Sequence, residues 1–283
     1  MKATPRPAQR SALLAATLCA AWLALPAHAS NNTAEPAKPA RFILVGDSTM
    51  ASNSGYGDAF CARVNRANTC INLAKGGRSS GSFRAEGRWD EVEGLLRGAA
   101  AYRTTYVLIQ FGHNDQPGKP GRSTDLQTEF PANMARYAQE VKALGGIPVL
   151  VTPLTRRTFR DGVLENNLTP WADVIRATAS AQKTPLLDLN ADSYRAVQAM
   201  GQDEADTLAM EPRPANYVTP PAVTATPGVT AAAGTVEVAG AAKTAFDRTH
   251  LGAKGAAYFA DMVVGEMRAA VPETAKLFYA ERK

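Results

Sequence analysis

Arg41-Phe42-Ile43-Leu44-Val45, followed at once by Gly46-Asp47-Ser48, is the stretch on which the fold turns. A short apolar run that stops at a glycine, with no polar alternation, suits a strand buried on both faces. The pattern recurs at 71–74 before Gly76-Gly77, at Thr105–Phe111 before Gly112, at Ile147–Thr152 and at Pro185–Leu189. Between these runs lie segments with helical spacing: 56–66, 89–97, 129–144 (stopped by Gly145-Gly146), 170–182 (opened by a proline), 192–200 and 253–270. Five short apolar strands alternating with helices predict an α/β fold, a five-stranded parallel sheet covered on both faces in three α/β/α layers. Such sheets gather ligands at the carboxyl ends of their strands. Gly46-Asp47-Ser48, Gly76-Gly77-Arg78 and Gly112-His113-Asn114-Asp115 each follow a strand end, so three polar loops are expected on one rim.

The chain has 283 residues, 45% apolar and 20% charged, an ordinary globular balance. Its formal charge is +5, and Lys2, Arg6 and Arg10 supply three of those charges within a leader free of acids. No basic run remains to suggest nucleic acid as a partner. Leu13–Leu25 is an apolar run shorter than a bilayer span requires, and Ala27-His28-Ala29 is a small-x-small site. Residues 1–29 therefore read as a secretory signal cut after Ala29, placing the product in the periplasm or outside the cell with no lasting membrane anchor. Export permits disulfides. Of three cysteines, Cys19 leaves with the signal. Cys61 and Cys70 are then expected to bridge a helix end to a strand start, the alternative being two separate buried thiols. Three Cys and three His exclude long zinc-ligand arrays.

After the signal, residues 30–40 read as a flexible leader and 41–283 as one domain. Residues 212–243 interrupt it: five prolines amid Ala, Thr, Val and Gly, with Arg213, Glu237 and Lys243 the only charges. This is a low-complexity loop just before Asp247, either a bulge or an arm that meets substrate.

Once His28 departs, only His113 and His250 can supply an imidazole base. Asp247 precedes His250 by three residues, a spacing that lets a carboxylate reach Nδ1 in a turn. The same pair would also suit a helix cap beside a surface histidine. Ser48, on a tight turn after the first strand, is placed as a nucleophile would be, although an N-cap serine has the same signature. Gly77 can offer a backbone N–H at close range, Asn114 a side-chain amide, and Ser48 its own N–H, to a developing oxyanion. Each is also an ordinary turn residue.

Taken together, Ser48, Gly77, Asn114 and the Asp247/His250 pair, in that order on four loops, resemble the SGNH hydrolase superfamily, whose sheet is flavodoxin-like. Gly-Gly-Arg-Ser-Ser (76–80), Glu-Gly-Arg-Trp-Asp (86–90), Phe-Gly-His-Asn-Asp (111–115), the run 148–159 and Asp-Arg-Thr-His-Leu (247–251) are similar to the rhamnogalacturonan acetylesterase family. The resemblance implies a Ser48–His250–Asp247 triad, an oxyanion hole from Ser48, Gly77 and Asn114, and a supporting role for His113. It implies a serine esterase that removes acetyl groups from an acetylated cell-wall polysaccharide, needs no cofactor or metal, and acts as a monomer. Arg78, Arg84 and Arg88, with His113, are candidate substrate contacts. Arg156 and Arg157 also fall in or near the rim loops, where a guanidinium could meet a uronate carboxylate. Rival readings are an esterase for xylan or another ester, an O-acetyltransferase, a metallophosphoesterase using Asp47, Asn114, Asp115 and His250, and a glycan-binding protein without chemistry.

Overall fold

A computed structural model describes residues 1–2, 38–219 and 245–280. The signal reading, apart from Met1 and Lys2, most of the 30–40 leader, and positions 220–243 of the insertion lie outside them.

The elements in chain order are β1 (Ala40–Gly46), α1 (Gly57–Cys61), β2 (Thr69–Asn72), α2 (Ser80–Ala85), α3 (Arg88–Arg97), β3 (Thr104–Gln110), α4 (Glu129–Ala143), β4 (Ile147–Val151), β5 (Phe159–Arg160), β6 (Val163–Leu164), α5 (Thr169–Gln182), β7 (Leu186–Leu187), α6 (Leu189–Asp206) and α7 (Ala253–Ala270). The five expected strands form one parallel sheet in the order β2-β1-β3-β4-β7. Ile43 of β1 lies beside Ile71 on one side and Val107 on the other. The chain steps from β1 outward to β2, then crosses back to β3. That reversal opens a crevice at the carboxyl ends of β1 and β3.

Alternation along the strands makes two cores. Phe42, Leu44, Tyr106, Leu108, Val149 and Val151 pack with Phe60 of α1, Val197 of α6, and Phe259, Val263 and Met267 of α7. Ile43, Val45, Val107, Ile109 and Leu150 pack with Trp89 of α3, Phe130 and Tyr137 of α4, and Ile175 of α5. This is the three-layer arrangement. Each fully buried Phe or Leu contributes about 1.5–3 kcal/mol, so the central strands anchor the rim loops.

Four elements differ from the sequence reading. The helix expected over 56–66 ends at Cys61, because Val64 pairs with Phe278 in an antiparallel bridge. Residues 80–85 form α2, opened by a reciprocal Ser79/Ser82 capping box. Phe159–Leu164 is a hairpin turning on Asp161-Gly162, both with positive φ. The helix expected to stop at Met200 continues to Asp206 across a kink at Gly201. A disulfide joins Cys61 at the end of α1 to Cys70 in β2, with Cα atoms 5.3 Å apart. No helix among the described residues is long and apolar enough to cross a membrane.

Candidate active site

Ser48 sits two residues past β1 and is 9% exposed. Its loop is pinned from below. The buried carboxylate of Asp47 accepts the Thr49 backbone N–H (2.9 Å) and hydroxyl (2.8 Å). Gln110 donates its amide to the Thr49 hydroxyl (2.6 Å), and Tyr56 donates to Gln110 (2.7 Å). The Ser54 hydroxyl donates to the Ser48 carbonyl (2.7 Å). Gly55 closes the turn: a Cβ there would lie 2.2 Å from the Thr49 carbonyl carbon. A side chain at 55 would therefore displace the backbone that carries Ser48.

His250 Nε2 lies 2.9 Å from Ser48 Oγ, and Nδ1 lies 2.9 Å from Asp247 Oδ2. The other Asp247 oxygen accepts the backbone N–H groups of Thr249 and His250, both at 2.7 Å. Burial would raise the Asp247 carboxyl. The His250 side chain and the two backbone donors outweigh it and hold the group well below the usual carboxylate range. An ionised Asp247 fixes the proton of His250 on Nδ1, leaving the Nε2 lone pair to accept from Ser48.

The expected oxyanion donors lie on three loops. Gly77 has φ +79, a backbone conformation that glycine adopts without strain. The N–H groups of Gly77 and Ser48 make no hydrogen bond among the described residues. Asn114 spends one amide proton on the Arg78 carbonyl (3.0 Å), and Lys119 reaches its Oδ1 at 3.4 Å. This fixes the amide plane and leaves its second N–H available. Asp115 ties the Gly77 and Asn114 loops together: its buried carboxylate takes the Ser80 N–H (3.0 Å), the Ser80 hydroxyl (2.6 Å) and the Thr124 hydroxyl (2.9 Å). Burial, only partly offset by those donors, raises Asp115 to about 6.

The other residues singled out in the sequence go elsewhere. Arg78 and Arg88 both pair with Glu86, at 2.9 and 2.8 Å. Arg84 pairs with Glu140 and lies 4.2 Å over the Tyr137 ring, so the structure uses it to pack α2 against α4 and does not bring it to the rim. His113 is buried beside Asp47, its Nδ1 3.4 Å from Asp47 Oδ2, an electrostatic contact rather than a hydrogen bond. Burial lowers its pKa against the opposing pull of Asp47, favouring the neutral ring. Arg156 holds Gln116 (2.8 Å) and Asn167 (2.7 Å), its charge felt at Asp47 and Asp247. The sequence reading missed Asp206, which grips Arg248 in the Asp247–His250 loop at 2.9 and 3.1 Å. No local motif marks it, because the two lie 42 residues apart. The insertion starts against the same loop: Tyr217 packs edge-on to Phe246, and Arg248 donates to Thr219 (2.7 Å).

The family model for GDSL-like lipase/acylhydrolases matches residues 44–218, which include Ser48, Gly77 and Asn114. The chain belongs to that family. This hydrolase is 34% identical over 180 residues to rhamnogalacturonan acetylesterase RhgT of Bacillus subtilis (strain 168), an alignment covering 60% of this chain and 74% of RhgT. It is 28% identical over 174 residues to the probable rhamnogalacturonan acetylesterase YesY of the same organism, covering 59% and 78%. Among solved structures, it superposes on the Bacillus subtilis protein YXIM with a TM-score of 0.58 at 24% identity, over 83% of this chain and 58% of that one. The acetylxylan esterase Axe2 of Geobacillus stearothermophilus gives 0.52 at 16% identity, over 80% and 93%. These last two likenesses establish a shared fold. The relatives are carboxylic ester hydrolases, and this chain is one of that class.

Proposed function

We propose that this hydrolase removes O-acetyl groups from a plant cell-wall polysaccharide, rhamnogalacturonan foremost, through an acyl-serine on Ser48. One observation carries the reading: the unbroken relay from Ser48 Oγ through His250 to Asp247, 2.9 Å at each step. His250 Nε2 takes the Ser48 proton as Oγ attacks the acetyl carbonyl. The carbonyl oxygen gains charge and is received by the N–H groups of Ser48 and Gly77 and the Asn114 amide. His250, now an imidazolium facing the Asp247 carboxylate, returns the proton to the departing sugar oxygen. Water then attacks the acetyl-serine, giving its proton to His250. Acetate leaves and Ser48 regains its hydrogen.

The names of RhgT and YesY support the polymer assignment. We propose export by residues 1–29 with cleavage after Ala29, action outside the cytoplasm, and a monomeric enzyme. The test is acetate release by the mature protein from acetylated rhamnogalacturonan and acetylated xylan, with Ser48→Ala as the blank. Ser48-dependent release, faster on rhamnogalacturonan, is expected. Faster release from xylan overturns the polymer assignment, and no Ser48-dependent acetate from either overturns the esterase reading for these polymers. Mass measurement of protein recovered from outside the cytoplasm checks the cleavage site.

A further inference from the structure

The loop carrying Asp247 and His250, residues 246–252, belongs to no helix or strand. Its backbone ties to the rest of the fold include Leu251 N–H to the Ser54 carbonyl (2.9 Å), Gly252 N–H to the Leu208 carbonyl (3.0 Å), Ala256 N–H to the Gly252 carbonyl (2.8 Å), and Arg157 N–H to the Arg248 carbonyl (2.8 Å). The remaining carbonyls of the loop's active stretch turn toward a single side chain. Arg157, 0% exposed, donates Nη2 to the His250 carbonyl (2.7 Å) and the Asp247 carbonyl (3.3 Å), and Nη1 to the Thr249 carbonyl (3.3 Å). We propose that Arg157 is a positioning residue for ester hydrolysis: its planar fork, donating to three backbone carbonyls of this loop, sets the distance and angle of His250 to Ser48 and touches no substrate. This deepens the triad reading given above and rests on it.

Three features of the contact support the assignment. The carbonyls gripped are those of the two triad residues and of Thr249 between them, so a shift of the guanidinium moves the imidazole and its carboxylate together. The task suits arginine and not lysine, since only a rigid fork reaches several acceptors in fixed directions. The buried charge is also not held by a hydrogen-bonded carboxylate; backbone dipoles receive it, and its Nε is left without a partner. Burying a cation this way is not a default source of stability. Asp206 adds a second hold on the loop through the Arg248 side chain.

The test compares wild type, Arg157→Met, Arg157→Lys and Arg157→Ala, with active sites counted by burst titration with diethyl p-nitrophenyl phosphate. Two rates are read per titrated site: kcat on p-nitrophenyl acetate, and phosphorylation of Ser48 by the same organophosphate, which reports serine reactivity without any sugar. Arg157→Met is expected to lower both by about a hundredfold, the scale of a 1 Å misplacement of reacting groups, with KM unchanged. Arg157→Lys should fall between, and guanidinium ion added to Arg157→Ala should restore part of the rate. A folded Arg157→Met or Arg157→Lys protein with wild-type rates per titrated site overturns the proposal, since a purely structural role would lower the number of sites and not their rate. If Arg157→Met does not fold, Arg157→Lys carries the comparison. Failure of the triad reading looks different: wild type itself would show no Ser48-dependent turnover and no label on Ser48.

Discussion

Replacing Asp247 by asparagine tests the site with almost no change of shape. In the native loop one carboxylate oxygen receives two backbone N–H groups at 2.7 Å, and the other faces His250 Nδ1 at 2.9 Å. An asparagine has one oxygen for these two duties. If the oxygen stays with the backbone, the NH2 group faces Nδ1, which must then accept; the ring proton moves to Nε2, and His250 can no longer take a proton from Ser48. If the amide turns over, two backbone donors lose their acceptor. Each costs about 1–3 kcal/mol when left unsatisfied, so the productive orientation lies about 2–6 kcal/mol above the other. With 1.36 kcal/mol to each factor of ten, that population penalty is about 30-fold to more than 10⁴-fold. The amide also lacks the charge that stabilises the imidazolium, so the expected loss of kcat lies at the upper end, about 10³ to 10⁴. The assay is initial-rate hydrolysis of p-nitrophenyl acetate with thermal unfolding run alongside. A folded Asp247→Asn enzyme within tenfold of wild type would refute the argument that this carboxylate selects the tautomer.

Asn114→Ala removes the side-chain donor and should lower kcat about a hundredfold or more, with p-nitrophenyl acetate as substrate; turnover like wild type would remove Asn114 from the oxyanion role. Breaking the Cys61–Cys70 bridge by a Cys61→Ser/Cys70→Ser double variant should cost on the order of 2–3 kcal/mol in a urea titration, the range for a short loop. Glu266, on α7, has both carboxylate oxygens buried without a partner, and burial, reinforced by the charges of Asp192 and Asp188, raises it to about 8. Above about pH 4.5 the unfolded chain releases this proton while the folded protein keeps it, so this group's contribution to stability is greatest below that value, falls as pH rises toward 8, and then levels. Denaturant titrations across pH 4–9 should show Glu266→Gln free of that decline, and parallel wild-type and variant curves would contradict it.

The sheet was legible because its strands are buried on both faces, and unbroken apolar runs bounded by glycine have few other uses. Ser48, Gly77 and Asn114 stood out for the same reason: each follows a strand end, where topology brings distant segments to one rim. The elements that escaped notice draw on local chemistry or distant partners. The β5–β6 hairpin hides in a two-residue turn, and α2 rests on a serine-serine cap that reads as loop composition. The helix expected over 192–200 resumes helical geometry beyond the kink at Gly201 and delivers Asp206 to Arg248. The arginines were the least legible, because their destination depends on which acid lies within reach. Glu86 takes Arg78 and Arg88, and Glu140 takes Arg84. Sequence spacing does not foretell that Arg84 finds Glu140, 56 positions away.

The hydrogen bond between Ser48 and His250 joins residues 202 positions apart. Contacts of such long range are slow to form, because nearly the whole chain must be ordered before its ends meet. While the polypeptide is emerging, Ser48 is an ordinary alcohol, since the imidazole that would activate it is made 202 residues later. Reactivity therefore switches on with completion of the fold, and a nascent or truncated chain lacking α7 and the loop before it carries no activated serine to be acylated by chance.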